Sequence, residues 1–206
     1  PAAPSLSQLE GELSAGYSNT GGEGDTNNVV KGVINIPIIR DTLAVRAVAY
    51  RFDNSGYYKN IAASDPLYSG LAATNSGKVL NTDDLGSNEV VGGRISVLWK
   101  PTDDLSINLS YLNQDIEQDG WAQTDLALSG SYLQRRFEVR TDANDTSHFE
   151  GEGYIDNIEL TNLIIEYDLG WATVLSSTSL VDEDVELTRE LSALVAGNYP
   201  WGQTFD

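Results

Sequence analysis

Apolar and polar residues alternate over residues 9–17, where Leu9, Gly11, Leu13, Ala15 and Tyr17 share one side and Glu10, Glu12, Ser14, Gly16 and Ser18 the other. A period of two is that of a strand with two unlike faces. After a glycine-rich turn at residues 21–24, Val30, Gly32, Ile34 and Ile36 oppose Lys31, Val33 and Asn35. Pro37 is expected to stop this second ladder, because it has no N–H to donate. A short connection at 38–42 opens a third strand over 43–52, with Leu43, Val45, Ala47 and Ala49 against Ala44, Arg46, Val48 and Tyr50.

Residues 53–87 break the alternation with Gly, Asn, Pro and repeated acids, and read as one long polar loop. The pattern returns with Val91, Gly93, Ile95, Val97 and Trp99 against Gly92, Arg94, Ser96 and Leu98. A tight turn at 101–104 leads into Leu105, Ile107, Leu109 and Tyr111 against Ser106, Asn108 and Ser110. A second polar segment spans 115–152. A sixth strand over 154–167 then meets a seventh over 171–180 across the turn at 168–170. Their facing stays open, since Ile158, Leu160 and Ile164 fall on one side and Leu163 and Ile165 on the other. From residue 182 onward the chain reads as a third long loop.

Short turns at 38–42, 101–104 and 168–170 thus alternate with long segments at 53–87, 115–152 and 182 onward. Outer-membrane barrels have this asymmetry, with short turns on the periplasmic side, long loops outside, and aromatic girdles bounding an apolar band. The predicted fold is all-β: roughly seven antiparallel strands of a transmembrane β-barrel, part of a larger one. Trp99, Tyr111 and Trp171 are the girdle candidates, and Arg46, Arg94, Ser96 and Asn108 the lumen-facing ones. A soluble β-sandwich also alternates strand by strand.

Composition narrows the field. The chain has 206 residues and no apolar run that would span a bilayer as a helix. Cys and Met are absent, which removes disulfides and thiolate chemistry, while 19 Gly, 10 Tyr and 4 Trp suit strands joined by turns. Twelve Lys and Arg against 31 Asp and Glu give a formal net charge of -19, so nucleic acid is not an expected partner. Residues 1–7 have neither the basic start nor the apolar core of a signal peptide.

Several stretches resemble the amino-terminal part of the barrel domain of TonB-dependent outer-membrane receptors. A strand ending N-x-P-(I/L), a short turn, and LA-x-R opening the next strand appear as Asn35-Ile36-Pro37-Ile38 and Leu43-Ala44-Val45-Arg46. Asp53-Asn54-Ser55-Gly56-Tyr57 resembles the D-x-x-G-(Y/F) that follows. Gly92-Gly93-Arg94, Leu98-Trp99-Lys100-Pro101 and Asp104-Leu105 resemble the GGR…L-x-W-x-P…DL hairpin, and Gly11, Tyr17 and Asn19 fit the preceding strand more loosely.

The resemblance implies that residues 1–206 are a partial barrel domain, without its plug, of a receptor of about 22 strands in the bacterial outer membrane. Active uptake of a scarce nutrient, most often a ferric siderophore, is the implied function. Outer-membrane lipid, the plug and remaining strands, the TonB complex and a small-molecule ligand are the implied partners, with no cofactor. A passive porin or small structural barrel, and a soluble secreted sandwich acting as an adhesin, are the rival readings.

Candidate chemistry is sparse. His148 lies among Asp142, Asn144, Asp145 and Glu150 in a polar stretch, without partners at hydrolytic or metal-ligating spacing. The runs at 142–145 and 182–184 have the oxygen-rich character that hard cations favour, but not the glycine and distal glutamate of a helical calcium loop. No serine stands in a G-x-S-x-G elbow. The expectation is no enzyme, no catalytic residue and no metal site, with ligand-binding residues not legible.

Overall fold

A computed structural model describes residues 2–75, 78–125, 128, 132–140 and 149–190. Its strands are β1 (Glu10–Asn19), β2 (Thr26–Ile39), β3 (Leu43–Asn54), β4 (Tyr58–Ile61), β5 (Asn81–Leu85), β6 (Asn88–Trp99), β7 (Leu105–Asp119), β8 (Leu133–Gln134), β9 (Val139–Arg140), β10 (Phe149–Glu150), β11 (Gly153–Asp168) and β12 (Thr173–Thr188). Among the described residues one α-helix, α1 (Pro66–Asn75), follows a 3-10 turn at Ala62–Ser64. The protein is mostly β, with one dominant antiparallel sheet and little helix.

Seven long strands form that sheet in the order β1-β2-β3-β6-β7-β11-β12, and every neighbouring pair is antiparallel. Each long strand pairs with the next one in the chain, so the sheet is a meander. Its outer strands, β1 and β12, are at opposite edges. A smaller sheet, β5-β4-β8, and the β9/β10 pair grow from the two long connections.

Register settles which side chains share a face. Leu13 pairs with Gly32, Ile34 with Ala47, Ala47 with Ile95, Ile95 with Tyr111, and Leu109 with Leu163. One apolar face therefore runs from β1 to β11, and on β12 it continues as Val174, Ser176, Thr178 and Leu180. The 154–180 hairpin, open on sequence alone, is now oriented: Leu163, Ile165 and Tyr167 join the apolar face, while Ile158, Leu160 and Ile164 turn to the other. Pairing of Leu163 to Leu109 and Ile164 to Asn108 decides it.

Three expectations on element boundaries need correction. Pro37 does not end β2, which runs to Ile39: pairing with β1 stops at Asn35, so Pro37 has a partner strand on one side only, where it pairs with Ala44 just before a register shift. Residues 53–87 are not one loop: they hold the end of β3, then β4, the 3-10 turn, α1 and β5. The polar segments also begin later than 115 and 182, since β7 continues to Asp119 and β12 to Thr188. Acids end a pattern only when they break its period, and here Asp115, Glu117 and Asp119 still alternate with Ile116 and Gln118. His148 and residues 142–145 lie outside the described residues.

Among the described residues the buried apolar side chains are Ala44, Ala62, Tyr68, Ala72 and Leu85, and of these Ala44 alone belongs to the seven-stranded sheet. The sheet's larger apolar groups are exposed instead, Leu13 to 80%, Ile95 to 48% and Leu109 to 46%. Burial of one such side chain is worth roughly 1.5–3 kcal/mol, which these side chains do not gain from neighbours among the described residues.

Candidate functional site

The apolar face has sharp limits along the strands. On β7 it includes Leu105, Ile107, Leu109 and Tyr111, a rise of about 20 Å at the strand repeat of ~3.4 Å per residue. Asn113, Asp115 and Glu117 follow on the same face. Neighbouring strands change character at the same height: Glu89 on β6 pairs with Glu117, and Glu159 on β11 pairs with Asn113 and with Asp182 on β12. The result is an apolar band with an acidic margin at the end bearing the long connections.

Trp99 and Tyr111, both girdle candidates, lie on this face at opposite margins of the band and are 46% and 39% exposed. Tyr167 stands beside Leu105 at the same end as Trp99. Trp171, the third candidate, is in the β11–β12 turn and is 85% exposed. There Leu169 donates its N–H to the Ala172 carbonyl at 2.8 Å, and Asp168 Oδ1 accepts the Gly170 N–H at 2.7 Å. Gly170 has φ of 81°, which a side chain there would strain.

The four lumen candidates share the opposite face. Arg46 pairs in register with Ser96, and Ser96 with Ser110, beside the Leu98–Asn108 pair. Arg46 reaches Glu10 Oε2 at 3.5 Å on this face, and Arg94 donates to the Ala2 carbonyl at 2.7 Å. Ser96 is 1% exposed and its Oγ has no partner, as is true of Asn108 Oδ1. Both line a hollow of about 300 Å³ with Ala3, Arg94 and Asn162.

The segment leading into β1 also lies on this polar face. Buried Asn35 holds it, donating to the Ser5 and Gln8 carbonyls at 3.0 and 2.8 Å and accepting the Ser5 N–H at 2.8 Å. The chain therefore enters the sheet from the polar side.

Beyond the acidic margin the long connections fold into a cluster of their own. Asp84 Oδ1 accepts the Ser55 hydroxyl and the Gly56 N–H, and an added Cβ at Gly56 would collide with the Leu85 and Asp84 backbone. Arg135 reaches Asp65 at 2.9 Å and Asp125 at 2.6 Å, with its guanidinium 5.1 Å from the Tyr68 ring centre. The guanidinium hydrogen bond holds the Asp65 carboxyl below the usual carboxylate range. Arg136 sits 3.8 Å from both Glu152 and Glu190, and Arg189 stacks over Trp121. Lys59 bridges Glu23 and Asp83.

Burial pushes the carboxyl groups of Glu152 and Glu138 above the ordinary glutamate range, against the pull of Arg136 on the first and Lys78 on the second. A group whose folded pKa is raised binds more protons folded than unfolded, so its contribution favours the fold at low pH and is lost as pH rises through the raised value. Asp65 acts oppositely and loses its contribution only in strong acid. The cluster should thus be most protected at mildly acidic pH. Hydrogen exchange at residues 56–85 between about pH 5 and 8 checks this, and Glu152→Gln should flatten the dependence. Equal protection throughout that range in the unsubstituted chain would refute it.

Sequence reading missed this cluster. Its signal was faint: Arg135 and Arg136 adjoin one another in a chain with few cations, but their acidic partners come from residues 65, 125, 152 and 190, which no period connects. The acidic run at 182–184 makes no joint site, since strand alternation turns Asp182 and Asp184 to one face of β12 and Glu183 to the other. Among the described residues no group of three or more His, Asp or Glu is placed to hold a metal. Compared with protein-family models, curated proteins and solved structures, the chain matches none.

Proposed function

We propose that this chain supplies seven consecutive strands of a transmembrane β-barrel in the bacterial outer membrane, and that the barrel is a TonB-dependent receptor importing a scarce nutrient such as a ferric siderophore. One observation carries the membrane part: the exposed apolar band, about 20 Å long measured along β7, with Trp99 and Tyr167 at one margin and Tyr111 at the other, next to acids. An outer-membrane barrel presents a band of about 25 Å to lipid between aromatic girdles. Short turns at one end and a folded loop cluster at the other fit a periplasmic and an external side.

The receptor part rests on the order of the sequence motifs, and two features support it over a small self-closing porin. β1 and β12 are at opposite edges of the meander, so further strands are needed to close a barrel without open edges. The segment before β1 lies on the polar face, the direction from which a domain held inside the barrel would join it. In the intact receptor, Arg46, Arg94, Ser96 and Asn108 face that lumen, and energy relayed through TonB rearranges the plug to admit the ligand.

Fluorescence in vesicles with brominated acyl chains tests the lipid-facing assignment, using a variant that keeps Trp99 as its sole tryptophan. Bromine should quench Trp99 strongly, and aqueous iodide should barely reach it. A chain that stays folded and monodisperse without detergent, with Trp99 open to iodide, would end the membrane reading.

A further inference from the structure

Among the described residues β12 pairs with β11 alone, at one edge of the seven-stranded sheet. Every second residue of an antiparallel strand turns its N–H and C=O away from its one partner, so a row of open backbone groups runs along the outer side of β12. Every residue of the strand except Thr188 is exposed. Such an edge is a template for another strand.

Direction is the first constraint on the strand that fits. In a meander of seven antiparallel strands the first and the last run the same way, so β1 and β12 both rise from the short-turn end toward the long connections. Joining β12 to β1, in this chain or in a copy standing the same way up, would make a parallel pair in a sheet whose neighbours are all antiparallel. A copy so oriented is therefore the wrong occupant.

Charge is the second. On the face that carries Val174 and Leu180, β12 continues with Asp182, Asp184 and Glu186. Across from them on β11 stand Glu159, Asn157 and Ile155, so that strand offers none of the three acids a cation, and Asp182 meets a like charge. We infer that the open edge of β12 takes a strand running the opposite way, with basic side chains set against Asp182, Asp184 and Glu186 and apolar ones against Val174 to Leu180. Opposite charges directly across a strand pair stabilise it, and like charges oppose it. The added strand gains affinity from its backbone ladder and selectivity from alternate side chains. This deepens the barrel reading by giving the direction and chemistry of the next strand, yet it does not depend on lipid, because the edge is open in any medium.

Fluorescence anisotropy tests the inference with the labelled peptide Lys-Thr-Lys-Thr-Lys-Thr-Leu-Thr-Val-Thr-Leu-Thr-Val, titrated with the full chain in a neutral detergent. One control peptide has Glu in place of Lys, and another has the reversed sequence, whose lysines meet the acids only in a parallel pair. The first peptide should bind at least about tenfold more tightly than either control. It should also slow hydrogen exchange over residues 173–188 and leave β1 unchanged. Asp182→Asn, Asp184→Asn and Glu186→Gln together should cut the preference over the Glu peptide to about twofold or less, while the sheet keeps its protection. No binding of the first peptide, equal binding of either control, protection of β1 in place of β12, or an undiminished preference in the triple variant would each overturn the assignment. Self-association of the chain through β12 in place of peptide binding would do the same. Any of these results with Trp99 still quenched by brominated lipid would strike this inference alone and leave the membrane reading standing.

Discussion

Lysine at position 109 should nearly abolish stable insertion of this chain into lipid, whereas lysine at position 108 should leave insertion almost unchanged. Leu109 sits mid-height in the apolar band, paired across the sheet with Val97 and Leu163, and is 46% exposed. A cationic side chain at the midplane of an outer-membrane barrel's lipid face costs about 2–4 kcal/mol, which corresponds to a loss of roughly 30-fold to several hundred-fold in the folded, inserted fraction. Asn108 lies one residue away on the opposite face, lining the hollow of about 300 Å³, where an ammonium group keeps its water. Urea titration of both variants in vesicles measures the difference. Equal losses, or a larger loss at 108, would show that the two faces have been assigned the wrong way round.

The contrast between adjacent residues marks what was legible in the sequence and what was not. Alternation over Leu105, Ile107 and Leu109 against Ser106 and Asn108 is local information, readable without knowing any partner strand. All seven strands of the sheet were legible for that reason, as was the shared face of Arg46, Arg94, Ser96 and Asn108. Where both faces carry apolar groups, as in β11, period alone gives no answer. The orientation of Leu163 and Ile164 came only from their pairing with Leu109 and Asn108.

Strand ends were misjudged from charge. Residues 115–119 and 182–188 are rich in acids, yet their backbone groups continue the ladder past the band, and the acids are directed into a margin where water accepts them. The long connections were opaque for another reason. Their order comes from ion pairs and single hydrogen bonds between residues far apart in the chain, such as Ser55 with Asp84 and Asn60 with Arg136. Such contacts leave no periodic trace.

Replacing Arg135 with alanine should release the loop cluster while the seven-stranded sheet keeps its protection. Asp65 serves two groups at once: its Oδ1 caps α1, accepting the Leu67 N–H at 2.8 Å, and its Oδ2 takes the Arg135 guanidinium at 2.9 Å. Pro66 at the first helical position completes a favourable start. The same guanidinium grips Asp125 Oδ2 through Nε at 2.8 Å, so one side chain ties α1 to the connection that leads into β8. The three side chains retain 16%, 18% and 21% exposure. Removing one partner of a fully buried pair costs about 3–5 kcal/mol, and partial access to water lowers that here to roughly 2 kcal/mol. Lysine would restore only part of it, since it supplies the charge without the planar fork that serves two carboxylates. Hydrogen exchange should quicken by about 30-fold over residues 60–75 and 132–138, with β6 and β7 unchanged. Loss of protection spread evenly into those strands, or no loss anywhere, would show that Arg135 does not hold the cluster together.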